Sequence, residues 1–171
     1  MAIKEGFADV RYVVEDVYEV AREKVREYSA AVHNRHPAHH DTEAARELGY
    51  DGVVAPPTFV AIFGVIAQSR LLELGEMDIT RVMQTDQRIV YHQPLLDGMR
   101  LDCEVSVESV RQIAGADIIV SKNLVTDRAT GEPVLTTYTT VVHREAAEGD
   151  EEPDADVMAM VRRTQSKEVG R

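Results

Sequence analysis

The stretch from Val53 to Leu74, VVAPPTFVAIFGVIAQSRLLEL, constrains this chain more than any other. From Thr58 to Ala67 nearly every residue is apolar whichever helical face is considered. A helix with no polar face has no side to turn to water, so the pattern predicts one wrapped on all sides by protein. Arg70 and Glu73 end the run before it reaches the roughly 20 apolar residues that a membrane-spanning helix needs. Pro56-Pro57 suits the opening turn, where a backbone N–H has no intrahelical partner and its absence in proline does no harm. Gly64 lowers helix propensity by about 1 kcal/mol relative to alanine, which predicts that another backbone or a ligand comes close there.

After Gly75 the period changes from helical to alternation in twos. Val82 to His92, Arg100 to Arg111, Asp117 to Thr126 and Pro133 to His143 are rich in Val, Ile, Thr and Tyr and are separated by turn residues. These read as four successive antiparallel strands. Each is longer than the usual strand of about five or six residues, and long strands twist and curl around what they cover. An apolar helix followed by such strands predicts an α+β architecture in which an antiparallel sheet wraps around a central helix.

Upstream, Asp16 to Ala21 reads as a short strand. REKVREYSAAVH, from Arg22, places Val25, Tyr28, Ala31 and Val32 at helical spacing and predicts an amphipathic helix. HNRHPAHHD, residues 33–41, is a histidine-rich loop, followed by a short helix opened by Thr42, capped by Asp41 and stopped by Gly49. Residues 1–144 are expected to form one domain, and 145–171 an acidic tail.

The formal charge of -11 argues against nucleic acid as a partner, since phosphate is bound by basic surface. The single cysteine, Cys103, allows neither an internal disulfide nor a multi-cysteine metal site. MAIKEGF carries no apolar signal core, so a cytoplasmic location without membrane insertion is the expectation. His33, His36, His39 and His40 lie too close to Pro37 to share a helical face, and no metal site is expected.

Four segments in order, REKVREYSAAV, HPAHHDTEAARELGYDGVVAPPTF, TDQRIVYHQPLLDGMRL and GADIIVSKNLVTD followed by TTYTT, resemble the MaoC-like hot-dog dehydratases. More narrowly, the chain resembles the actinobacterial (3R)-hydroxyacyl-ACP dehydratase subunits of the A and C type, with their FAS1-like dehydratase domain. The likeness extends to about Arg144. It implies a hot-dog fold, no cofactor, and a homodimer or a heterodimer with another hot-dog subunit.

The resemblance also implies a site. Catalytic relatives carry a D-x-N-P-x-H motif, which falls here on Asn34, His36, Pro37 and His39, so the histidine is kept and the aspartate is not. Relatives polarise the thioester carbonyl with a glycine N–H at the start of the central helix. That sequence matches Ala55-Pro56-Pro57, and since proline has no N–H the donor must be a neighbour such as Thr58. The implied reaction is dehydration of (3R)-3-hydroxyacyl-ACP or -CoA to the trans-2-enoyl thioester, or the reverse hydration. His39 is then the acid and base, Asn34 positions the water or hydroxyl, and His36 with Pro57, Thr58 and Phe59 contacts substrate. The alternatives are a non-catalytic acyl-chain-binding subunit whose partner supplies the Asp/His pair, and a lipid or sterol binding module. Asp41 reads as a helix cap, and His92, Tyr91 and Asp86 as structural.

Overall fold

The computed structural model describes residues 6–144; the expected acidic tail from 145 onward lies outside them. The elements in chain order are β1 (Arg11–Glu19), α1 (Arg22–Ala31), a 3-10 turn at Pro37–His39, α2 (Thr42–Glu47) and α3 (Ala61–Leu74). They are followed by β2 (Val82–Tyr91), β3 (Arg100–Ile113), β4 (Ala116–Asp127) and β5 (Pro133–Arg144). All strand pairs are antiparallel, and the order across the sheet is β1-β3-β4-β5-β2.

The four strands after Gly75 follow the alternation that predicts them. β4 is the clearest case: Ile119, Ser121, Asn123, Val125 and Asp127 are buried while the residues between them are half-exposed. β1 begins five residues before the expected strand, and the cause is local. Between Val14 and Tyr18 the register against β3 slips, and Asp16 takes a left-handed φ of 52°. Such a bulge destroys the two-residue period on which a sequence reading depends. The displaced Asp16 N–H donates to Asp102 Oδ1 at 2.6 Å, and the Asp16 carboxylate accepts from the Arg100 guanidinium, which holds that carboxyl below its ordinary range.

α3 lies on the sheet through Phe63, Ala67 and Leu71, which are spaced one helical turn apart and fully buried. Tyr12 of β1 donates its hydroxyl to the Ala67 carbonyl at 2.6 Å, tying the helix to the edge strand. Tyr18 stacks on Phe63 with ring centroids 5.7 Å apart, and Phe59 is met edge-on by Tyr18 at 6.0 Å and Tyr28 at 5.3 Å. Aromatic pairs of this kind add about 0.5–1.5 kcal/mol each beyond the area they bury.

Three expectations about this helix need correction. It is not enclosed on every side by its own chain, because Val65 on the opposite face is 54% exposed. Among the described residues no backbone crowds Gly64: a Cβ there would meet only Val60 Cγ2, at 4.0 Å. The regular helix starts at Ala61, four residues after Pro57. Ahead of it, Phe59 N–H donates to Pro56 O and Ala61 N–H to Thr58 O in tight turns. The Pro57 carbonyl, which an α-helix would offer to Ala61, accepts instead from the Tyr91 hydroxyl at 2.6 Å.

Candidate active site

The segment Val53–Ala55 is the spine of the site. It runs extended between the histidine loop and the loop after β2, and its backbone is bonded to both. Val54 N–H donates to Ala38 O at 3.0 Å, Ala55 N–H to Leu95 O at 2.8 Å, and Asp97 N–H to Val53 O at 3.0 Å. Asp97 also turns its carboxylate back, accepting Val53 N–H on Oδ1 at 2.7 Å and Arg22 Nε–H on Oδ2 at 2.6 Å. Gly52 is required beside it, since a Cβ there would sit 2.2 Å from Asp97 Oδ1.

The histidine loop is fixed by its own polar groups. Arg26 of α1 donates to His40 O at 2.6 Å, and His40 Nε2 donates to Asn34 O at 2.8 Å. Asp41 accepts Ala44 N–H on Oδ1 at 2.8 Å, so it is the cap of α2 as the sequence predicts. Asn34 Oδ1 accepts His36 N–H at 3.1 Å. This contact turns the Asn34 amide oxygen into the loop, and Asn34 is not on the wall of the cleft described next.

Loop, spine and the end of β2 enclose a cleft of about 780 Å³. Its polar lining is His36, His39, Tyr50, Tyr91, His92 and Gln93, and the remainder is apolar. Among the described residues no carboxylate lines it. His39 is half-buried, and its Nδ1 lies 2.6 Å from Val54 O. A carbonyl can only accept, so Nδ1 carries the proton and Nε2 is the basic nitrogen of the neutral ring. Among the described residues, no group of three or more His, Cys, Asp or Glu is placed to hold a metal ion.

Of the expected site residues, His36, His39 and Pro57 line this cleft. Thr58 lies just beyond Pro57 and is exposed; its carbonyl accepts from the Tyr28 hydroxyl at 2.8 Å. The Phe59 side chain is fully buried in the aromatic cluster and does not reach the cleft, and its N–H is engaged by Pro56 O. Tyr91 and His92, read from sequence as structural, are both on the wall. Tyr91 is held by Pro57 O, with burial pushing its hydroxyl up to about 12, and His92 Nε2 pairs with Thr136 Oγ1 at 2.9 Å. The Y-H-Q-P run at the end of a strand was the available signal, but only folding shows that it faces the histidine loop.

A profile of the FAS1-like dehydratase domain region matches residues 10–137. The chain belongs to the FAS1-like dehydratase family. Relatives of this FAS1-like dehydratase include a UPF0336 protein of Mycolicibacterium paratuberculosis, 40% identical over 153 residues that make up 88% of this chain and 96% of that one. A UPF0336 protein of Streptomyces avermitilis is 40% identical over 152 residues, 87% of this chain and 100% of its own. Among solved structures, a chain of the C-terminally truncated HadBC (3R-hydroxyacyl-ACP dehydratase) complex from Mycobacterium tuberculosis superposes with a TM-score of 0.72 at 39% identity. It covers 80% of this chain and 96% of that one. A MaoC-like dehydratase gives a TM-score of 0.78 at 38% identity, with 93% of this chain matching 47% of its length. The fold is therefore the α+β hot dog, as the strand pattern and the resemblance imply, and the chain stands among dehydratases of that fold. None of its described helices is long and apolar enough to cross a membrane.

Proposed function

We propose that this chain removes water reversibly from a (3R)-3-hydroxyacyl thioester carried on acyl carrier protein or coenzyme A, giving the trans-2-enoyl thioester. The observation that carries the reading is His39: its Nδ1–H is fixed on the Val54 carbonyl and its ring lines a largely apolar cleft. An imidazole so held offers Nε2 as the base for the 2-proton. The same nitrogen then returns that proton to the departing 3-hydroxyl. Enolate charge on the thioester oxygen needs a donor near Pro57. Thr58 N–H fits, since it has no hydrogen-bond acceptor among the described residues while Phe59 N–H is engaged by Pro56 O. Asn34 acts by shaping the loop, because its amide oxygen is bound to His36 N–H.

Hydration of crotonyl-CoA and a longer enoyl-CoA, followed at the double-bond absorbance, tests this directly. Activity that His39→Ala abolishes supports the proposal. The accessory-subunit reading is favoured by one observation, the asparagine where catalytic relatives have aspartate. In that case the purified chain is silent and a second hot-dog subunit restores turnover even when His39 is alanine. A dimer is part of either reading: Val65 on α3 and Met83 and Val90 on the edge strand β2 are exposed apolar side chains that a second hot-dog subunit covers.

A further inference from the structure

The backbone locks two histidines of the cleft in opposite tautomers. His36 Nδ1 accepts a hydrogen bond from Ala38 N–H at 3.3 Å. An amide N–H can only donate, so that nitrogen is bare and the proton of the neutral ring is on Nε2. His39 is the reverse, with Nδ1 donating to Val54 O at 2.6 Å and Nε2 bare. The two rings lie 5.5 Å apart, tilted by 56°, and both line the cleft. Of the two rings on the cleft wall, one thus carries a free donor and the other a free acceptor. Among the described residues, no carboxylate on the wall competes for the donor.

We infer that His36 is a second catalytic residue, whose Nε2–H donates to the 3-oxygen of the substrate. This rests on the dehydratase reading above and supplies what that reading lacks, a group to hold the leaving hydroxyl where the motif aspartate is missing. The C2–H electron pair becomes the second C2–C3 bond, and the C3–O pair leaves with the oxygen. The 2-proton passes to His39 Nε2 and then to that oxygen, so water departs and no proton remains on the protein. His36 keeps its own proton throughout. It orients the hydroxyl and stabilises the negative charge that gathers on oxygen as the C–O bond lengthens. Asn34 is the positioning residue for His36, whose N–H it accepts at 3.1 Å.

Dehydration of (3R)-3-hydroxybutyryl-CoA and hydration of crotonyl-CoA by His36→Leu, His36→Gln and His39→Ala test the inference. His36→Leu is expected to lower kcat about a hundredfold with KM changed less than about threefold, and His36→Gln, which keeps a side-chain donor, to recover at least about tenfold of that loss. Binding of butyryl-CoA, which has no 3-oxygen, is expected to be the same in wild type and His36→Leu, a result that a collapsed loop would not give. Equal losses in the leucine and glutamine variants, or an unchanged kcat in His36→Leu, overturn the role of His36. Wild-type turnover that His39→Ala abolishes but His36→Leu leaves intact refutes this inference alone. A wild type without turnover, with or without a second hot-dog subunit, refutes the dehydratase reading and the inference together.

Discussion

Replacing Asp97 tests how the wall behind His39 is held. Its side chain is 8% exposed and accepts the N–H of Val53, itself fully buried, at 2.7 Å, together with Arg22 Nε at 2.6 Å. Asp97→Ala removes a hydrogen bond to a charged acceptor and strands a buried backbone donor, each worth about 1–3 kcal/mol, so a loss of about 3 kcal/mol is expected. In a chain of this length that lowers Tm by about 6–12 °C. Asp97→Asn keeps an acceptor for Val53 and is expected to cost about 1 kcal/mol. Arg22→Ala should leave the transition nearly unmoved, because that guanidinium is largely in water. Urea unfolding by circular dichroism measures all three, with m-values checked for constancy. Gly52→Ala forces the same carboxylate aside from 2.2 Å, so combined with Asp97→Ala it should add less than its own cost. If Arg22→Ala destabilises as much as Asp97→Ala, or the double variant is fully additive, the buried bond to Val53 is not what holds this wall.

Burial pushes the Cys103 thiol up to about 12, so the native protein at pH 8.5 should resist a thiol-reactive disulfide that the unfolded chain consumes in full. Cys103 and Tyr91 both bind their protons more tightly folded than unfolded. The urea midpoint is therefore expected to be unaffected by either group below about pH 8 and to fall as pH rises from about 9 toward 12. A midpoint rising over that window would contradict the sign. Tyr91→Phe removes the hydroxyl that holds Pro57 O and should cost about 1 kcal/mol in thermal unfolding, with hydration of crotonyl-CoA reduced alongside. Gly64→Ala should raise stability by about 0.5–1 kcal/mol, since its Cβ meets nothing closer than 4.0 Å among the described residues; a lowered Tm would show that space to be occupied.

Much of the fold was legible because its signals are local. The alternation in Asp117 to Thr126 places β4 within a residue at each end, and Asp41 three residues before Ala44 announces the cap of α2. β1 runs beyond what its sequence pattern shows because the bulge at Asp16 interrupts the only periodicity a strand has. α3 starts later than the proline pair suggests. Pro56-Pro57 permits a helix, but the Tyr91 hydroxyl, 34 residues away in sequence, takes the Pro57 carbonyl, and the Thr58 carbonyl is shared between Ala61 N–H and the Tyr28 hydroxyl, 30 residues away. At the site, the motif points to His36, His39, Asn34 and Phe59; His36 and His39 line the cleft, while Asn34 accepts His36 N–H and Phe59 is buried in the aromatic core, neither of which the motif encodes.

The sequence by itself determined that an apolar helix would pack one face on long antiparallel strands, because hydrophobic periodicity is written into neighbouring residues and must be satisfied by any compact chain. It also placed four histidines around one proline. Tertiary structure alone decided what those histidines can do. A ring nitrogen becomes donor or acceptor according to the group it meets, and for His39 that group is the carbonyl of Val54, brought within 2.6 Å by a spine anchored on Asp97. No pattern in the residues around His39 encodes that meeting, because it depends on three segments distant in sequence arriving at one place.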